Sequence, residues 1–189
     1  MDKAKIEQGI RLVLEGVGEN ADRDGLKDTP RRVAEMYEDI ISTEPTDLST
    51  IIVAMPSDTH QEMVLVRDIA FHSLCEHHLL PFFGVAHVAY IPSKHGNITG
   101  LSKLVRLVRT AAARLQLQER LTSTIADTLT EALKPEGVLV LIQAEHLCMS
   151  MRGVRAPGSR VVTSAVRGIF RTSAATRAEV LALIEAPNK

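Results

Sequence analysis

Residues 138–148 read VLVLIQAEHLC. Five branched apolar residues in succession, with no polar alternation, predict a strand buried on both faces. The stretch then ends in His146 and Cys148, so chemistry begins where the apolar run stops. Residues two apart on a strand leave the same face, so His146 and Cys148 are expected to point the same way. Just upstream, Leu121, Ile125, Leu129 and Leu133 form a helical stripe over 118–133, which Pro135 and Gly137 terminate. Downstream, RVVTSAVRGIF at 160–170 reads as another strand, followed by a final helix near 174–185.

The pattern continues towards the N-terminus. Leu104, Val105, Leu107, Val108 and Ala111 define an amphipathic helix beginning at Leu101. GVAHVAYI at 84–91 and residues 62–70 are two further strands, with the Cys75 segment between them as a loop. Before these, residues 3–17 repeat Ile6, Ile10, Val13, Leu14 and Val17 at helical spacing. Asp28-Thr29-Pro30 opens a second helix carrying Val33, Met36, Tyr37 and Ile40. The polar stretch GENADRDGLKD between them is a turn, and 43–60, rich in Thr, Ser, Pro and Asp, a connector. The expected organisation is therefore an N-terminal helical segment, 1–60, and an α+β domain, 61–189. In that domain two central helices lie on one face of an antiparallel four-stranded sheet.

Composition narrows the function. The 189 residues are 45% apolar with 3% aromatics and no Trp, so the core is aliphatic. A net charge of −1 argues against non-specific binding to nucleic acid or an anionic membrane. Residues 1–60 carry 7 basic and 13 acidic groups, and the remainder 15 and 10. Opposite charge on the two parts favours self-association, or an anionic ligand on the second. There is no secretory signal and no run long enough to span a membrane, and two cysteines fit a reducing cytoplasm.

Those two cysteines lie in Cys75-Glu76-His77-His78 and His146-Leu147-Cys148. Cys75, His78 and Cys148 supply two thiols and an imidazole, the donor set of a three-ligand zinc site with a fourth position open to water. His77 and His146 are left beside it as acid–base groups that titrate near neutrality. Two readings compete. The cysteines are often small buried apolar residues, or they form a disulfide with one another. Against the first stands SLCEHHLLPF, where consecutive polar groups need partners if buried.

An anion site is the second chemical signal. Lys103 and Arg106 share a helix face, with Ser102 near the helix start. Arg152, Arg155, Arg160, Arg167 and Arg171 follow the third strand with no acid between Glu145 and Glu179. Most of these read as a solvated basic face. Arg152, four residues after Cys148, is the one tied to the candidate site. Gln118-Glu119 opens the second central helix, where an acid often serves only the helix dipole.

Taken together, DRDGLKDTPRRVAEMY, SLCEHHLLPFFGVAHVAYIP, TGLSKLVRLV, QLQERLT, AEHLCMSMRGV and VTSAVRGIF resemble the GTP cyclohydrolase I family over nearly the whole chain, in the family's order. The resemblance implies the tunnelling fold and a homodecamer of two stacked pentamers, with sites where subunits meet. It implies Zn2+ on Cys75, His78 and Cys148, His146 as the main acid–base residue and His77 as the second site histidine. Glu119, with Gln118 beside it, is implied to recognise the guanine edge. Ser102, Lys103, Arg106 and Arg152 are implied to hold the triphosphate, with Arg32 joining from another subunit. The implied reaction takes GTP and water to 7,8-dihydroneopterin triphosphate and formate, the first step of tetrahydrofolate or pterin biosynthesis. The loop at 92–100 is longer than in animal members, Leu115 stands where many members have Pro, and the long animal front extension is missing, which argues against animal-type regulation.

Two other functions fit part of the pattern. A nitrile reductase of the same fold would use a cysteine nucleophile and a nicotinamide cofactor, and would hold no stoichiometric zinc. A non-catalytic zinc-stabilised oligomer that binds nucleotides or a protein would close the metal with a fourth protein ligand.

Overall fold

The computed structural model describes residues 1–42, 47–57, 60–94 and 96–187. Parts of the expected connector, 43–46 and 58–59, and His95 of the 92–100 loop lie outside the described residues. The chain divides into two compact units, Met1–Pro45 and Thr46–Lys189.

The first unit pairs α1 (Lys3–Gly16) with α2 (Thr29–Ile40). Asp2 caps α1 by accepting from the Lys5 amide at 3.1 Å, and Pro30 starts α2 where a missing N–H costs nothing. Acids of the intervening turn pair with Arg11, Arg23 and Lys27. These pairs are solvent-exposed and contribute little to stability.

In the second unit the expected connector does more than connect. A 3-10 turn at Leu48–Ile51 places Leu48 and Ile51 against the main core, and Ile52 is buried in it. β1 (Met55–Pro56) later pairs with β4 (Asn97–Ile98). The unit therefore begins well before residue 61. The main elements follow as β2 (Val64–Cys75), β3 (Pro81–Ile91), β4, α3 (Leu101–Ala112), β5 (Leu115–Gln116), α4 (Gln118–Leu133), β6 (Gly137–His146), α5 (Leu147–Ser150), β7 (Val161–Gly168), α6 (Ile169–Thr172) and α7 (Ala174–Glu185). The sheet order is β5-β2-β3-β6-β7, with β2, β3, β6 and β7 antiparallel. This is the expected four-stranded α+β plan with one addition. The two residues of β5 join the β2 edge in parallel, a strand too short to leave a periodic signal.

α3 and α4 cover one face, where Leu104, Leu107, Val108, Leu121, Ile125 and Leu129 pack on the sheet. Val138, Val140, Ile142 and Ala144 of β6 face them, while Leu139 turns to the opposite face and meets Phe170 and Val180 of α6 and α7. The continuous apolar start of β6 is thus buried on both sides, as its sequence requires.

Two strand ends differ from the sequence reading, and both differences build the site. β2 does not stop at residue 70 but runs to Cys75. Its pairing with β3 shifts between Val66 and Ile69, where Arg67 and Asp68 together oppose His87 and Asp68 has φ +60. The extra residue of this bulge resets the alternation, so Val64 and Val66 before it and Ile69, Phe71 and Cys75 after it all reach the same core. A strict period of two fails at that point, inside the expected strand, so one alternation cannot follow β2 from Val64 to Cys75. The second correction concerns Cys148. β6 ends at His146, and Cys148 sits on the helical turn α5, so the two do not share a strand face. Cys148 approaches the core through the turn geometry instead.

Candidate active site

The site forms where β2 and β6 end and β3 begins, beside the start of α4. After Cys75 the chain turns sharply. The Cys75 carbonyl accepts from the amides of His78 (3.3 Å) and Leu79 (2.8 Å), and the Cys75 amide donates to the Leu80 carbonyl (2.9 Å). The Glu76 amide donates to the carbonyl of Gln116 on β5 (3.1 Å), and the Glu76 carboxylate pairs with Arg120 of α4. Arg120 also donates to the Gln116 side chain at 3.0 Å. The histidine-bearing turn is thereby fastened to β5 and α4 at once.

This turn and α5 bring Cys75, His78 and Cys148 together, with one potential ligand atom from each lying within 4.8 Å of the others. Both cysteines are free thiols, with 4.0 Å between their sulfurs, so they do not form the disulfide that the sequence left open. A tetrahedral ion with bonds of about 2.0–2.3 Å holds its donors about 3.3–3.8 Å apart, close to this spacing. Burial, and then the neighbouring Cys75, push the Cys148 thiol up from its ordinary value, while Arg152 opposes them. A bound cation would reverse that balance and hold both sulfurs as thiolates. The donor set and its spacing therefore fit a metal ion. Arg152 donates to His78 Nε2 at 3.0 Å, which brings it to the site as its position after Cys148 implied.

Around the donors lies a cavity of about 190 Å³ whose lining includes Cys75, Cys148, His77, His146, Gln118 and Glu119. His146 stacks flat on Phe82, its direct partner across β3 and β6, with ring centres 4.5 Å apart and planes 4° apart. Its Nε2 lies 2.7 Å from Gln118 Oε1. Burial lowers the His146 pKa from its ordinary value, and Glu119 works against that. Gln118 is 1% exposed, and its side-chain nitrogen reaches the Ile142 and Val161 carbonyls and the Thr163 hydroxyl.

Other candidates of this unit do not line the cavity. Ser102, Lys103 and Arg106 lie on α3, with Ser102 and Arg106 exposed, and none lines the cavity. Arg32 belongs to the first unit, where it faces Asp28 at 3.8 Å. Arg167 pairs with Asp127 of α4. Phe82, Thr163 and Arg120 escape a reading of the sequence, because only strand pairing and helix docking bring them to the site. The one signal for Phe82 is its closeness in sequence to the histidine turn.

Two thiols and an imidazole at ion-binding spacing, beside a cavity lined by a further histidine and a carboxylate, fit a metal-binding enzyme site on an α+β fold. Comparison with known proteins makes this specific. The GTP cyclohydrolase I family model matches residues 6–185. The chain is 61% identical to GTP cyclohydrolase 1 of Carboxydothermus hydrogenoformans over 97% of its length and 95% of the relative's. It is 56% identical to GTP cyclohydrolase 1 of Bacillus subtilis over 96% and 95%. A solved structure, the archaeosine synthase QueF-Like in its apo form, is 20% identical over 56% of this chain and 93% of that one, with a TM-score of 0.45. The chain belongs to the GTP cyclohydrolase I family, and its sheet-and-helix plan is the tunnelling fold that the resemblance implied. Among the described residues, no helix is long and apolar enough to cross a membrane.

Proposed function

We propose that this protein opens the guanine ring of GTP hydrolytically, releasing carbon 8 as formate and forming 7,8-dihydroneopterin triphosphate. The observation that carries the reading is the meeting of Cys75, His78 and Cys148 at the edge of a cavity that both cysteines line together with His146, in a member of this family. Zn2+ on those three residues would supply a water acidic enough to act as a nucleophile near neutral pH. His146 transfers a proton at nitrogen 7 of the base, and His77 is the second proton carrier. Glu119 anchors the guanine edge, and Arg152 takes part of the triphosphate charge. The reaction belongs in the cytoplasm, where free thiols persist.

The test is incubation with GTP, measuring formate directly and the pterin by fluorescence after oxidation. Equimolar formate and pterin are expected, and intact GTP after prolonged incubation with zinc-loaded protein would end the proposal.

Assembly follows from the same reading. Ser102, Lys103 and Arg106 lie away from the cavity of their own chain, so the triphosphate is met by these groups from a neighbouring subunit, with Arg32 added. We expect a homodecamer, near ten times the 20.7 kDa chain mass in light scattering. A monomer at every concentration would contradict it.

A further inference from the structure

The geometry points to Gln118 as a positioning residue that holds His146 in the Nε2–H tautomer and leaves Nδ1 to exchange protons with the substrate. This rests on the reading of His146 as the acid–base group. It gives Gln118 a different task from the guanine contact implied by its place beside Glu119.

The assignment follows from the direction of each hydrogen bond. The Thr122 hydroxyl donates to the backbone carbonyl of Gln118 at 2.7 Å, one turn back on α4. The Thr122 and Thr163 hydroxyls lie 2.7 Å apart. With the Thr122 proton already committed, Thr163 must be the donor in that pair, which leaves its oxygen free to accept. The Gln118 side chain then meets three acceptors at one end, the Ile142 carbonyl at 3.1 Å, the Val161 carbonyl at 3.0 Å and the Thr163 oxygen at 3.1 Å. Carbonyl oxygens only accept, so that end of the amide is the NH2 group. The opposite orientation would bury the amide oxygen against two carbonyl oxygens and leave all of them unsatisfied, at a cost of about 1–3 kcal/mol for each unpaired group.

Gln118 Oε1 therefore faces His146 Nε2 as an acceptor, at 2.7 Å, and the nitrogen must carry the hydrogen. Nδ1 makes no hydrogen bond among the described residues, while the ring lines the cavity with both thiols and Glu119. The flat stack on Phe82 restrains the ring plane, so tautomer and orientation are held by different neighbours. The device resembles the way a hydrogen bond to one imidazole nitrogen sets the role of the other.

The direct test is solid-state NMR of 15N-histidine-labelled wild type at pH 8, with the His146 signals identified by their disappearance in His146→Gln. A protonated Nε2 and an unprotonated Nδ1 are expected, and the reverse pattern overturns the assignment. The second test is Gln118→Met, which keeps side-chain length but removes the amide. Because a positioned acid–base group is worth about 10²–10⁴-fold, losing its alignment should lower kcat about 10–100-fold, with zinc content unchanged. KM should stay within about threefold, since uniform substrate binding is untouched. A raised KM with unchanged kcat would make Gln118 a substrate contact and overturn the proposal. If Gln118→Met does not fold, the wild-type spectrum still decides. Failure of the wild type to turn over GTP would refute the function, while the tautomer would remain readable.

Discussion

Cys148→Ser is expected to lose both its metal and its turnover, with GTP conversion falling to background. The substitution is nearly isosteric, so the fold should persist and the loss should lie in the ligand itself. A serine hydroxyl stays protonated near neutral pH and is a hard, weak donor, where the thiolate is charged and soft. Cys148 is half-buried beside Cys75, with 4.0 Å between the sulfurs, and these are the chain's two cysteines, so no other thiol can replace it. Elemental analysis of the purified proteins is the check. About one zinc per wild-type chain and almost none in the variant are expected, since three protein ligands hold one ion. A variant that keeps its activity, or a wild type fully active without metal, would sink the zinc assignment and the mechanism with it.

His146→Ala should behave differently, because His146 lies beside the metal donors without belonging to the cluster they form. Zinc content and oligomeric mass are expected to stay at wild-type levels while turnover falls about 10²–10⁴-fold, the reach of a positioned acid–base group. The variant also removes the ring stacked on Phe82 and leaves Gln118 Oε1 without its donor. A water entering the space can satisfy that oxygen, so the stability loss should be about 1–2 kcal/mol rather than a collapse of the fold. GTP should remain largely intact, since the block falls at the first proton transfer. If zinc were lost in proportion to activity, His146 would be a support for the metal, and its acid–base role would fall.

Much of this site could be read from local sequence. Cys75, His78 and Cys148 are few, chemically distinctive and set beside histidines, so residue type alone names them as a donor set. The apolar run at 138–142 carries its two-sided burial in its composition, and the stripe at 121–133 carries its helix. These features survive in one dimension because apolar periodicity and ligand chemistry belong to neighbouring residues.

Relations between distant segments needed the folded chain. The Arg67–Asp68 bulge is visible only against β3, yet it turns Cys75 onto the face that His146 shares. The end of β6 at His146 depends on tertiary context, and it moved Cys148 from a strand to a helical turn. Phe82 under His146, and Thr163 behind Gln118, come from pairings 64 and 45 residues apart in sequence. From the sequence alone, chemistry and periodicity determine which residues can bind a metal, carry a proton or fill a core. Only the tertiary structure decides which of them meet and which nitrogen or oxygen faces which, because strand register, bulges and hydrogen-bond direction depend on partners far along the chain.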